Sequence, residues 1–203
     1  MTLLLIRHGE TPLNAARVLQ PADTPLSPRG LEQAIALAQR LASAGIAGVV
    51  SSDLPRARQT AGAIAAACGL PITVLPLLQE RNFGELRGRP YDSFDFDPLR
   101  MLDAPVGGES QAQFELRAAA AFEALLPLRR RAGGPLAVVT HGLVLREWLR
   151  APLQLGPLPA PAHVANTSIT MVTAQPPHRV LRINDTEHLD EKLRDNPRAL
   201  DGG

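Results

Sequence analysis

The stretch LLLIRHGET occupies residues 3–11, and its reading decides the fold. Leu3 to Ile6 are apolar and run without interruption into Arg7, His8 and Gly9. A short continuous apolar run closed by a glycine is the pattern of a strand buried on both faces. Such strands belong to mostly parallel sheets covered by helices. In open sheets of that kind, ligands bind beyond the carboxyl ends of the strands. Arg7 and His8 therefore stand where a site would be, and Gly9 allows the backbone to turn.

The same punctuation recurs late in the chain. GPLAVVTHG, residues 134–142, is a second apolar run that closes on His141 and Gly142. Between the two lie alternating helical and extended patterns. PLSPRGLEQAIALAQRLASAG reads as a helix, with Ser27 as N-cap, Pro28 at its first position and Gly45 as its stop. Its expected apolar face is Leu31, Ile35, Ala38 and Leu41/Ala42. GIAGVVSS (45–52) reads as a strand, LPRARQTAGAIAAACG as a helix closed by Gly69, and ITVLPLL as a strand. From Phe83 to Glu109 the periodicity is lost and Gly, Pro and Asp accumulate, as in a long functional loop with short helical pieces. A long helix capped by Ser110 follows, then the 134–142 strand, the helix LVLREWLRA, and two strands around QPP. This order implies a single α/β domain spanning residues 1–203: a three-layer α/β/α sandwich with a largely parallel central sheet, a loop or lid at 83–109 and a charged, loosely packed tail from 187.

Composition limits the partners. Apolar residues make up 45% of the chain, enough for a sizeable core, and the formal net charge is +1. Neither sign dominates, which argues against a general nucleic-acid or membrane-surface binder. The single cysteine, Cys68, excludes an internal disulfide and reads as a buried structural thiol. The first ten residues lack a basic segment ahead of a long apolar one, and no stretch is long and apolar enough for a membrane span. A cytoplasmic location is expected, as a monomer or homodimer.

The polar residues at the strand ends form a coherent set. Arg7 and His8 follow the first strand, Ser51, Ser52 and Asp53 the second, Glu80 the third, and His141 and Gly142 the fourth; Arg56 opens the helix after the second. Guanidinium forks match phosphoryl oxygens. A neutral imidazole nitrogen is a competent nucleophile, and a carboxylic acid can protonate a leaving oxygen. No His, Cys and Asp residues stand at metal-ligand spacing, so no metal and no cofactor are expected. Each residue alone has a bland explanation as a structural histidine, an ion pair or a loop cap. Their joint occurrence at strand ends does not.

LLLIRHGET with Asn14, SSDLPRARQTA, LQERNFGELRG, GGES and VVTHG resemble the signature series of the histidine phosphatase superfamily, the phosphoglycerate-mutase-like fold. NTSI and NDTEHL resemble its C-terminal strands, so the likeness covers nearly the whole chain. The resemblance implies that His8 is a nucleophile that becomes phosphohistidine. It implies that Arg7, Arg56 and His141 complete a phosphate pocket, with Asn14 adding a hydrogen bond, and that Glu80 is the proton donor. A cationic His141 would add positive charge. The expected activity is metal-independent hydrolysis of a small phosphorylated metabolite, with a cofactor-dependent phosphoglycerate mutase, or an inactive phosphate-binding module, as alternatives. The segment between Glu80 and His141 is short for the extra elements with which such mutases retain a bisphosphate. One feature departs from many relatives: in place of a glycine-containing turn after Asn14, Gln20-Pro21 stiffens the loop; separately, Arg87 and Arg89 in the 83–109 loop are candidates for a second anionic group on the substrate.

Overall fold

The structure is a computed structural model, and it describes residues 2–194 and 199–200. Strand β1 (Thr2–Arg7) leads into a one-turn helix α1 (Pro12–Ala15), then α2 (Pro28–Leu41), β2 (Gly48–Ser51), α3 (Pro55–Cys68) and β3 (Ile72–Val74). After single 3₁₀ turns come α4 (Gln111–Ala132), β4 (Leu136–Thr140), α5 (Gly142–Arg150), β5 (Ile169–Thr173) and β6 (Val180–Asp185). The strands form one sheet in the order β3-β2-β4-β1-β5-β6. The β1–β4, β2–β4 and β2–β3 pairs are parallel, and β1–β5 and β5–β6 are antiparallel. The largely parallel sheet read from the sequence is thus present, with an antiparallel edge.

Alternation along β1 divides the core. Leu3 and Leu5 pack with Val138, Phe122, Leu125 and Trp148 on the α4/α5 face. Leu4 and Ile6 pack with Val139, Leu37, Ala61 and Ile64 on the α2/α3 face. Both faces of β1 and β4 are apolar because helices cover both, the reason for their unbroken hydrophobic runs. The register Arg7↔Thr140 brings the two strand ends side by side, so His8 and His141 emerge as neighbours.

Several local expectations hold in detail. Ser27 caps α2 through Gly30 N–H, Pro28 opens that helix, and Ser110 forms a capping box with Gln113 on α4. The 83–109 segment contains 3₁₀ turns at 84–86, 91–93 and 98–100, and no longer helix. ITVLPLL divides, however: only Ile72–Val74 pair as a strand, and Pro76 starts a 3₁₀ turn.

The face of α2 differs from the one expected. Leu31 and Ile35 are 43% and 54% exposed, while Gly30, Ala34, Leu37, Ala38 and Leu41 are buried. The reason is a backbone contact: a Cβ on Gly30 would lie 2.0 Å from the Glu10 carbonyl oxygen, and one on Gly9 2.6 Å from that of Gly30. The two glycines let the start of α2 dock on the turn after β1, and this docking rotates the helix. Cys68 is also only half-buried, its thiol 3.8 Å from the Leu41 carbonyl oxygen.

The described part of the tail is mixed: Glu187, Asp190, Glu191, Lys192 and Arg194 are exposed. Leu189, Ala199 and Leu200 are buried, and Leu200 packs with Leu19 and Phe83. A charged sequence hides this because three apolar residues at scattered positions carry no periodicity. The rest of that expectation, at 195–198 and 201–203, lies outside the described residues. Among the described residues no helix is long and apolar enough to cross a membrane.

Candidate active site

Arg7, His8, Arg56, Glu80 and His141 come together at the carboxyl end of the sheet, none more than 2% exposed. β1 delivers His8, whose backbone N–H continues the ladder to the Thr140 carbonyl oxygen at 3.0 Å. Its Nδ1 lies 2.7 Å from the Gly9 carbonyl oxygen. A carbonyl only accepts, so Nδ1 carries the proton and Nε2 keeps its lone pair. Burial, then the charges of Arg56 and Arg7, hold the His8 pKa well below the usual histidine value. His8 is therefore a neutral imidazole at pH 7.

The His141 ring lies 5.1 Å from that of His8, centroid to centroid. Its Nε2 is 2.9 Å from the Ser52 hydroxyl at the end of β2, and its buried Nδ1 has no partner. Burial, then Arg56, pushes its pKa well down too. Burial beside two guanidiniums thus disfavours the cationic form of His141 considered from the sequence.

Arg56 is presented by the second residue of α3, which follows Leu54 as N-cap and Pro55. Burial lowers its pKa to about 10, so it remains charged. One terminal nitrogen is 3.4 Å from the Pro21 carbonyl oxygen, and its buried Nε has no partner. The Gln20-Pro21 loop therefore does touch the site, through a backbone carbonyl. Arg7 donates to the carbonyl oxygens of Val164 at 2.5 Å and Leu200 at 2.8 Å.

Glu80 is buried, with Oε1 accepting from Arg81 N–H at 2.9 Å and Oε2 from Leu143 N–H at 3.0 Å. Burial raises its pKa above the ordinary glutamate value, against the pull of those two bonds and of Arg56. The group is a carboxyl poised to carry a proton.

Asn14 lies beside these residues, but its side chain is engaged. Its Oδ1 accepts from Thr11 N–H at 2.6 Å within the α1 capping box, and its Nδ2 donates to Asn166 at 3.1 Å. Gly142 is the buried first residue of α5, directly after His141. The loop arginines separate. Arg87 is half-buried and close enough for its charge to act on Arg56 and to feel Glu80. Arg89 is exposed and stacks over Phe94, 4.3 Å from the ring centroid. Among the described residues no three His, Cys, Asp or Glu side chains cluster as metal ligands.

Three residues had no role from the sequence. Ser52 orients His141. Asn166 donates to the His8 carbonyl oxygen at 2.9 Å, and Thr167 N–H reaches the carbonyl oxygens of Arg7 and His8 at 3.1 and 3.3 Å. β5 runs antiparallel to β1, so the residues that precede it lie beside the end of β1. That juxtaposition requires the strand order, which periodicity does not supply.

The chain is similar to known proteins along most of its length. The sequence model of the histidine phosphatase superfamily (branch 1) matches residues 3–186. A probable phosphoglycerate mutase of Yersinia pestis is 40% identical over 155 residues, covering 71% of each chain. Among solved structures, Bacillus stearothermophilus YhfR is 30% identical, with a TM-score of 0.78 over 92% of this chain and 98% of its own. A mycobacterial glucosyl-3-phosphoglycerate phosphatase is also 30% identical, with a TM-score of 0.70 over 84% and 89%.

Proposed function

The chain belongs to the histidine phosphatase superfamily, and from that premise we propose that it is a metal-independent phosphomonoesterase acting through phospho-His8. The observation that carries this reading is the His8 ring: Nδ1–H is tied to the Gly9 carbonyl 2.7 Å away, so the lone pair sits on Nε2. Around it stand Arg7, Arg56 and His141, with unpartnered buried polar atoms at Arg56 Nε and His141 Nδ1. Buried donors without partners are costly, and a phosphoryl group would satisfy them.

In the first step the Nε2 lone pair forms a bond to phosphorus as the ester P–O bond breaks. The departing oxygen takes the bond pair and the proton held by Glu80. The guanidiniums offset the charge on the equatorial oxygens through the transition state. In the second step Glu80, now a carboxylate, takes a proton from water as the water oxygen attacks phosphorus and the N–P bond breaks. Phosphate leaves, and His8 is again neutral. Arg81, Leu143 and the raised pKa of Glu80 support its double duty.

The mutase reading is favoured by one finding, the 40% identity to a probable phosphoglycerate mutase. Hydrolysis is favoured by the connection from Glu80 to His141, which holds only single 3₁₀ turns and α4 beyond the β4 strand itself. One assay separates them. Phosphate release from p-nitrophenyl phosphate in EDTA, without bisphosphoglycerate, is expected. Bisphosphoglycerate-dependent interconversion of 2- and 3-phosphoglycerate with little phosphate release would replace the hydrolase reading by the mutase one. The physiological ester is taken to be a small metabolite in the cytoplasm, and a panel of such esters ranked by kcat/KM identifies its class.

A further inference from the structure

The antiparallel pairing of β1 with β5 ends at Ile6↔Ile169, one residue short of the end of β1. Beyond it, a loop holds the peptide that carries His8. Thr167 N–H is shared between the carbonyl oxygens of Arg7 at 3.1 Å and His8 at 3.3 Å, and Asn166 Nδ2 donates to the His8 carbonyl oxygen at 2.9 Å. Thr167 is fully buried and has a φ of 55°. That left-handed conformation is unfavourable for a β-branched residue, and such strain persists only where the surroundings over-determine it.

Those surroundings include a chain of polar contacts that starts outside the phosphate pocket. Thr167 Oγ1 lies 3.1 Å from His188 Nε2, and His188 Nδ1 lies 3.4 Å from a terminal nitrogen of Arg40. A guanidinium only donates, so Nδ1 keeps the lone pair and Nε2 carries the proton that goes to Thr167 Oγ1. Burial, then the charge of Arg40, lowers the His188 pKa to about 4, so this ring is neutral at pH 7. Arg40, on α2, is itself fixed by a two-pronged pair with Asp185 at the end of β6, at 2.9 and 2.6 Å. The preceding residue, Asn184, ties down the other side of the loop. Its Nδ2 donates to the His163 carbonyl oxygen at 2.9 Å, and its Oδ1 accepts from Ala165 N–H at 2.8 Å. The loop that holds the end of β1 thus hangs from the end of β6.

None of these side chains has a part in the two chemical steps. What they fix is the backbone on which the nucleophile rides. The His8 ring is tied to the carbonyl of the next residue, Gly9, so a shift of that backbone moves Nε2 with it.

Resting on the phosphatase reading, we infer that His188 is a positioning residue for the nucleophile: through Thr167 it fixes the backbone of Arg7 and His8, and so the line from Nε2 to phosphorus. A misplacement of about 1 Å, caused by a change far from the chemistry, costs up to about 10²-fold in rate. Loss of the imidazole leaves Arg56 and His141 in place, so phosphate still binds while its transfer to Nε2 slows.

The test uses the full-length chain and its His188→Ala, His188→Gln, Thr167→Val and His188→Ala/Thr167→Val variants. Rapid-quench labelling with ³²P-labelled p-nitrophenyl phosphate gives the rate constant of phosphoenzyme formation, which is independent of the fraction of active protein. Competitive inhibition by inorganic phosphate reads the pocket. His188→Ala and Thr167→Val are each expected to slow phosphoenzyme formation about tenfold or more, with the phosphate inhibition constant changed less than about threefold. His188→Gln, whose amide N–H takes the place of Nε2–H, is expected to recover most of the rate. The double variant is expected to be no slower than the slower single one, because both substitutions break one contact. An unchanged rate constant in either single variant, or losses that multiply in the double, overturns the path through Thr167. No recovery in His188→Gln, or a phosphate inhibition constant that rises in step with the rate loss, makes His188 structural and overturns the inference as well. Loss of the cooperative thermal transition in both single variants does the same, and loss in one leaves the other to decide. Absence of phosphoenzyme in the parent removes the phosphatase reading and the inference with it. Labelling by bisphosphoglycerate alone puts the mutase reading in its place, and the same rate comparison with that donor then decides the role of His188.

Discussion

At the end of β1, His8 gives its Nδ1–H to the carbonyl of its own neighbour, Gly9, whereas at the end of β4, His141 turns Nε2 to the hydroxyl of Ser52, just beyond β2. Both strands finish on His-Gly, and they lie side by side in parallel register. After His8 the chain turns, and Gly9 is pressed against the Gly30 carbonyl of α2. After His141 it enters α5 at once, with Gly142 as the first helical residue. The first histidine has its ring hydrogen-bonded by local backbone. The second is oriented by a tertiary contact and leaves Nδ1 unpartnered. The same dipeptide is therefore fixed by its own backbone in one place and by a side chain from another strand end in the other.

The sharpest way to break this comparison is to remove each ring. His8→Asn is expected to abolish turnover and the acid-labile phosphoenzyme, read with ³²P-labelled substrate. His141→Asn is expected to slow turnover severely yet still leave a phosphoenzyme detectable. Label that persists without His8 and vanishes without His141 would exchange their roles.

Glu80→Gln serves the same contrast from outside, because it leaves both rings in place. It should lower kcat by about 10²–10⁴, the ordinary worth of a general acid–base group. The loss should be greatest for alkyl esters and least for p-nitrophenyl phosphate. Equal losses for good and poor leaving groups would remove Glu80 from protonation of the leaving oxygen.

The backbone half of the comparison is tested by Gly9→Ala. The added methyl meets backbone, not a flexible side chain. A loss of about 1–3 kcal/mol in stability is expected from such overpacking, read as a lower urea midpoint. An unchanged midpoint would mean that α2 is not docked by this contact. Ser52→Ala tests the other half. It removes one hydrogen bond from His141 and should cost about 1 kcal/mol in transition-state stabilisation, near fivefold in kcat/KM. His8-dependent phosphoenzyme formation should persist.

The smallest effect is on stability against pH. His8 and His141 are held neutral in the fold by burial, and their pKa values lie below the usual 6.5. Below about pH 6.5 the unfolded chain takes up protons that the folded chain does not, so stability falls as pH falls. Glu80 has the opposite sign: its raised pKa favours the folded state at acid pH, and that contribution is lost as pH rises through the raised value. His188, whose pKa burial lowers to about 4, acts in the same direction as the other two histidines, and the melting temperature should drop between about pH 7.5 and pH 5. A flat or rising profile would place charge on one of the rings.

Much of this site was legible in the chain. Apolar runs closed by His-Gly located two strand ends, and Arg56 and Glu80 followed from position after a strand or at a helix start. Those signals are local, because a strand buried on both faces must be apolar throughout and a phosphate pocket must stand beyond its end. Asn166, Thr167 and Ser52 were not legible as neighbours of the histidines. Their proximity depends on which strands pair and in which direction, and here β5 turns back beside β1. The buried face of α2 escaped for a related reason: hydrophobic spacing favoured Leu31 and Ile35, but the close approach of Gly30 to Glu10 outweighed it.

The sequence by itself determined the layered α/β class, the gathering of Arg7, His8, Arg56, Glu80 and His141 at the strand ends, and the irregular 83–109 segment. These depend on composition and periodicity over a few residues at a time. Only the tertiary structure decided the burial that depresses the pKa of His141, the placing of Arg87 near Arg56 and Glu80, and the seat of Leu200 on Arg7. Each of these is set by burial or by a contact between segments far apart in the chain, where low dielectric and steric fit act on groups that no local pattern joins.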